Sequence, residues 1–160
     1  MSLDTLSFKS KSFKEAAAFI LDECYPILFE HLRSMDKCLK HMSKEYDVVM
    51  LEGSVQNVYQ SFDKMFRLEK LVLFPKLILL EDEHKVPESD APFHKLKQDF
   101  YAILKQLELA VEQVQNTYVN EDNEFCIHHL LKELDYFRDL LSDVEELKES
   151  FYEINFHEVR

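Results

Sequence analysis

The stretch KMFRLEKLVLFPKL, residues 64–77, decides how this chain is read. Met65, Phe66, Val72 and Leu73 recur at the three-and-four spacing of a helix that buries one face. Glu69 falls on that same face. A carboxylate among apolar residues is costly unless it is paired or hydrogen-bonded inside, so Glu69 marks either a relic of chemistry or a working polar centre.

Working outward, the stripe extends back through Val55, Val58, Tyr59 and Phe62 and forward past Pro75 to about Leu80, with a bend expected at the proline. Three further stripes share the spacing. Ser12-Phe-Lys-Glu15 has the form of a capping box, and apolar residues come after it at Phe13, Ala16, Ala17, Ile20, Leu21 and Cys24, then Ile27, Leu28, His31, Met35, Cys38, Leu39 and Met42. Pro26 divides this run, so the expectation is a short lead-in helix and then a long one opened by the proline. The third helix carries Phe93, Leu96, Phe100, Ile103, Leu104, Leu107, Val111 and Val114, and the fourth Leu130, Leu134, Phe137, Leu141, Val144, Leu147 and Phe151. Lys44 to Gly53, Glu81 to Ala91 and Asn116 to Asn123 read as connections. Four long amphipathic helices with short links predict an all-α, up-down-up-down four-helix bundle as a single domain over residues 1–160, its core about 26–153.

Composition agrees. One glycine in 160 residues leaves little of the turn chemistry that a sheet-rich fold needs. The formal net charge of −12 repels phosphate backbones and anionic lipid, excluding nucleic acid and membrane as expected partners. No apolar run reaches the ~18 residues of a membrane span. Three cysteines without paired spacing, and no basic-then-apolar leader, set the expectation of a reduced, cytoplasmic setting.

Two polar residues lie on inward stripes, His31 and Glu69. Pro26-Ile-Leu-Phe-Glu-His31 resembles the opening helix of the hemerythrin-like (HHE cation-binding) family, and Glu69 ahead of Leu73-Phe74-Pro75 is similar to that family's second helix. The resemblance implies a bundle whose interior holds two irons on histidines and bridging carboxylates, with a layout similar to the branch that repairs damaged iron–sulfur centres. Against that pattern Met65, Phe100 and Leu104 stand at ligand positions. Aligning Phe151-Tyr152 with the family's second Phe-Pro brings Ser142 and Glu146 to the remaining ones, although the fourth stripe turns Glu146 outward. The candidate metal ligands are therefore His31, Glu69 and Glu146. That set is too small for a di-iron centre, which draws ligands from all four helices.

The expectation is a ligand-poor hemerythrin-like bundle acting as a non-catalytic binding or regulatory domain, with no cofactor. His31 is the expected partner of Glu69. Iron or another divalent metal, in an oxygen-, nitric oxide- or iron-handling protein, is the alternative, and a metal-free helical interaction module is the other. The partner would be a protein, a small ligand or a second copy of the chain. If neighbouring helices alternate in direction, Cys38 and His41 come near Cys126, His128 and His129, a candidate zinc set without a recognised motif. The runs Glu81-Asp-Glu83 and Glu145-Glu146 read as solvent-facing charge. With a single glycine there is no nucleophile elbow and no phosphate loop.

Overall fold

A computed structural model describes residues 12–42 and 45–152; Lys44, expected to open the first connection, and Glu153, at the end of the expected core, lie outside them. The described chain is helical: α1 (Phe13–Phe19), α2 (Tyr25–His41), α3 (Tyr46–Leu68), α4 (Phe74–Asp82), α5 (Ala91–Asn116) and α6 (Glu124–Tyr152). A π-helical turn, Ile20–Cys24, joins α1 to α2, and a second, Glu69–Leu73, joins α3 to α4. The six segments thus make four long helices.

Both π turns stand immediately before an aromatic–proline pair, Tyr25-Pro26 and Phe74-Pro75. Proline has no N–H to donate, and its ring crowds the carbonyl four residues back. Widening the turn relieves this. The Tyr25 N–H bonds back to Ile20 O and the Phe74 N–H to Glu69 O, each five residues earlier. The proline at 26 therefore does not start a separate helix after a lead-in; the chain runs helically from Phe13 to His41. The extra residue in each turn also rotates the side chains beyond it. Val72, expected inward, is 58% exposed, while Glu69, Leu73 and Phe74 are buried.

The second long helix begins at Tyr46 rather than near Ser54. Val48 and Leu51 are buried and carry the stripe back from Val55, while Gly53 sits on the open side, where an added Cβ would meet nothing within 4 Å. Counting polar residues as a connection hid two apolar anchors at helical spacing.

Antiparallel neighbours are fixed by pairs of contacts. Ser12 Oγ caps α1 by accepting the Glu15 N–H, and Glu81 at the far end of α4 accepts the Phe13 N–H at 2.8 Å. Glu81 is thus a helix cap, not merely solvated charge. Further along, Tyr25 packs on Phe62 and Phe66, and Phe29 on Tyr59. On the opposite flank His31 meets Glu133 and Ser34 meets His129, so α2 and α6 also run in opposite directions. Lys97 of α5 pairs with Glu149 of α6.

At the centre Phe62 is fully buried and touches the rings of Tyr25, Phe29 and Phe137 at 4.8–5.4 Å. Phe62→Ala should cost about 3–5 kcal/mol in chemical denaturation, whereas Phe125→Ala, at a ring 80% exposed, should change stability by less than about 0.5 kcal/mol. Equal small losses would place the core elsewhere.

With so little glycine, the α4 C-terminus closes on His84 at φ 54°, in the left-handed region, with the Lys85 N–H reaching Leu80 O. Glycine suits that position without a Cβ penalty. His84→Gly should stabilise the chain by about 1 kcal/mol, read as a raised denaturation midpoint; an unchanged or lower midpoint would contradict it.

Candidate functional site: a buried ammonium between carboxylates

The two π turns bring their inward residues together. Tyr25 directly follows the first and Glu69 opens the second; both are fully buried. The Tyr25 hydroxyl donates to Glu69 at 2.8 Å to Oε1 and 3.0 Å to Oε2. From α6, Lys148 Nζ lies 3.1 Å from Glu69 Oε1 and 3.3 Å from the Tyr25 oxygen. Glu145, one turn earlier on α6, puts Oε2 3.0 Å from the same nitrogen. Lys148 is 1% exposed and Glu145 5%. Three long helices thus meet at a carboxylate–ammonium–carboxylate cluster with a phenol on it.

The partner of Glu69 is therefore Lys148, not His31. Glu145, read from the sequence as solvent-facing, is inside, whereas Glu146 is exposed, as its stripe requires. Sequence spacing held a signal for the missed pair. Leu141, Glu145, Lys148 and Tyr152 succeed one another at four, three and four residues, a second inward row beside Leu141, Val144, Leu147 and Phe151. Scoring only apolar residues on α6 concealed it.

His31 faces the seam with α6. Its Nδ1 is in close contact with Glu133 Oε2, and its ring lies 5.8 Å from Tyr136. His129 Nε2 stands 2.8 Å from Ser34 Oγ and 3.7 Å from Glu133 Oε1. One ring nitrogen serves both contacts, so this is no Ser–His–carboxylate relay, in which the carboxylate holds the opposite nitrogen. Farther along, each of Cys38 and Cys126 points its thiol at the other's backbone carbonyl, at 3.7 and 3.6 Å. His41 and His128 are exposed. The described residues hold no group of three histidine, cysteine or acidic side chains placed to bind a metal; the zinc set is not assembled, and His31, Glu69 and Glu146 are not brought together.

A metal fits this core poorly. The donors around Glu69 are a phenol and an ammonium, and a lysine ammonium has three protons and no lone pair to offer. Met65 is fully buried and Phe100 nearly so, filling volume that ligands and solvent would need.

The electrostatics are set by burial. Burial raises the Glu69 carboxyl above its usual value, against the pull of Lys148 and the Tyr25 hydrogen bond. Burial opposes the charge on Lys148, but Glu69 and Glu145 outweigh it and hold the ammonium well above its usual range. Burial, then Glu69, pushes the Tyr25 phenol up; burial does the same to Tyr152, with Lys148 opposing. Among the thiols, burial and Glu23 lift Cys24 to about 11, and burial and Cys126 lift Cys38 to about 12.

The chain matches no protein-family model, no curated protein and no solved structure.

The cluster makes two outcomes measurable. Lys148→Met strands two buried carboxylates and should cost about 3–5 kcal/mol; adding Glu69→Gln should recover part of the loss, so the double variant is more stable than the sum of the single effects. Strict additivity in urea denaturation would mean the two groups do not interact. The second outcome concerns pH. Cys24, Cys38, Tyr25, Tyr152 and Lys148 all have folded values above their unfolded ones, so the folded chain keeps protons that the unfolded chain has released. Their stabilisation is complete below the unfolded values and is lost as pH climbs through the folded ones. Stability should therefore fall from pH 9.0, where unfolded thiols titrate, and more steeply beyond 10.0 to 10.5, where tyrosine and lysine join. Glu69 also has a raised value, and its own contribution is lost on the way up from pH 4.5. Denaturation midpoints measured between pH 8 and about 11 check this, and a flat profile would contradict it.

Proposed function

We propose that this chain is a hemerythrin-like, up-down-up-down helical bundle in which a lysine takes the part of the core cation, and that it acts as a non-catalytic binding or regulatory domain. The observation that carries the reading is Lys148 Nζ within 3.1 Å of oxygens from both Glu69 and Glu145. An internal ammonium supplies the positive charge that bridging carboxylates otherwise take from metal. The resemblance of Pro26-Ile-Leu-Phe-Glu-His31 and of Glu69 with Leu73-Phe74-Pro75 supports the family reading.

Electrostatics support the non-catalytic part. Active sites tune nucleophiles and bases toward the working pH. Here the perturbed thiols and phenols move away from it, so they stay protonated and unreactive near neutrality. Support for binding comes from a groove of about 500 Å³ along the seam of the first and fourth helices, walled by Phe19, Ile27, Tyr136 and Leu140, with His31 and Cys24 on its surface. Pockets of this size and mixed lining suit a small ligand.

Metal content tests the reading directly. Protein purified without chelator should carry less than about one equivalent of iron or zinc, and chelator should leave its melting temperature unchanged. Two irons per chain with near-ultraviolet charge-transfer bands, or a large destabilisation by chelator, would overturn it.

A further inference from the structure

We infer that the groove between the first long helix and α6 binds a neutral phenol, whose hydroxyl donates to His31 Nε2. The groove measures about 500 Å³, room for roughly sixteen non-hydrogen atoms at the ~30 Å³ that a water occupies in the liquid. The first π turn contributes to it through Glu23 and Cys24, and α6 closes the far side. Such turns are rare within helices and recur at functional sites. Phe19 and Tyr136 offer rings, and Ile27 and Leu140 aliphatic surface, a lining that suits a small aromatic molecule.

His31 is the polar anchor. An ionised carboxylate can only accept, so the close contact with Glu133 Oε2 makes His31 Nδ1 the donor. In the neutral imidazole Nε2 is then an acceptor. It makes no hydrogen bond to a described residue, and the side chain, 23% exposed, is not sealed in the core. The groove therefore meets an imidazole held in one tautomer with its second nitrogen open. A ligand that fills the groove displaces water from that acceptor, and only a donor on the ligand restores the lost bond. Cys24 adds no reactive group. Burial, then Glu23, pushes its thiol up to about 11, so it stays protonated near neutrality and the binding is non-covalent.

Charge selects a neutral ligand. No lysine or arginine is among the described residues that line the groove. An anion would meet Glu23 at the rim and Glu133 behind the imidazole, with His31 already committed to the latter. A cation gains little. Asp139 is engaged by Arg138 at 3.7 Å, and Glu23 is exposed, where an ion pair in water contributes little. A phenol meets each condition: its ring lies between apolar walls, its hydroxyl is a single donor, and it remains uncharged at pH 8.

The inference rests on the binding role proposed above, and the two fail separately. Two irons per chain or a large chelator effect overturns that reading, whereas absence of phenol binding overturns this one. 4-Propylphenol titrated into the full chain at pH 8, followed by calorimetry and amide shifts, should bind saturably, with shifts concentrated at residues 19–31 and 136–140. 4-Propylanisole, the same ring without a donor, should bind about tenfold more weakly, and 4-propylbenzoate should not bind. His31→Phe keeps a ring but removes the acceptor, and should erase the advantage of the phenol over the anisole. Should that variant fail to fold, Ile27→Glu, on a wall position 39% exposed, should weaken 4-propylphenol by about tenfold. The inference is overturned by a non-saturable titration, by shifts confined to other residues, by equal affinity for the anisole or the benzoate, or by unchanged phenol affinity in the folded variants.

Discussion

The buried ammonium of Lys148 holds the arrangement together. It lies between Glu69 of the second long helix and Glu145 of its own, and it touches the Tyr25 oxygen of the first. Removing one charge from such a cluster leaves the others buried and unpaired, which costs far more than the intact cluster contributes. The ion cluster therefore constrains the packing of three helices at one level of the bundle. Around it Phe62, Phe66 and Phe137 exclude water and keep the effective dielectric low, which strengthens each contact and raises the cost of breaking any one.

The two proline-linked π turns make this geometry available. Each turn adds a residue to its helix, rotating the side chains beyond it relative to an uninterrupted α-helix. Tyr25 and Glu69 sit at the edges of these turns and face each other. The same turns free Val72 from the core, with Leu71 exposed beside it. Thus a backbone solution to the missing proline N–H also places the polar groups at the centre.

Function reads differently once the charges are placed. The sequence suggests a depleted metal site; the geometry supplies a cation of its own. The seam of His31, Glu133, Ser34 and His129 has a different character: half-buried polar contacts that fix the register of α2 against α6.

Much of the fold was legible in the sequence, because burial of one helical face leaves a spacing that needs no partner to be seen. The four stripes, the capping box at Ser12, the inward carboxylate at Glu69 and the outward Glu146 are all consequences of local periodicity. Periodicity also foretold that Cys38 would approach Cys126, once neighbouring helices alternate. Which residue neutralises Glu69 was not legible. His31 and Lys148 lie on different helices, and only the rotation imposed by the π turns and the wide buried face of α6 selects the lysine. The start of the second helix at Tyr46 was hidden because Val48 and Leu51 lie within a polar stretch and acquire meaning only against the other helices. Local spacing fixes which face of a helix is inside; long-range packing decides what that face meets, since a buried charge is satisfied by whatever opposite group three dimensions bring within about 3 Å.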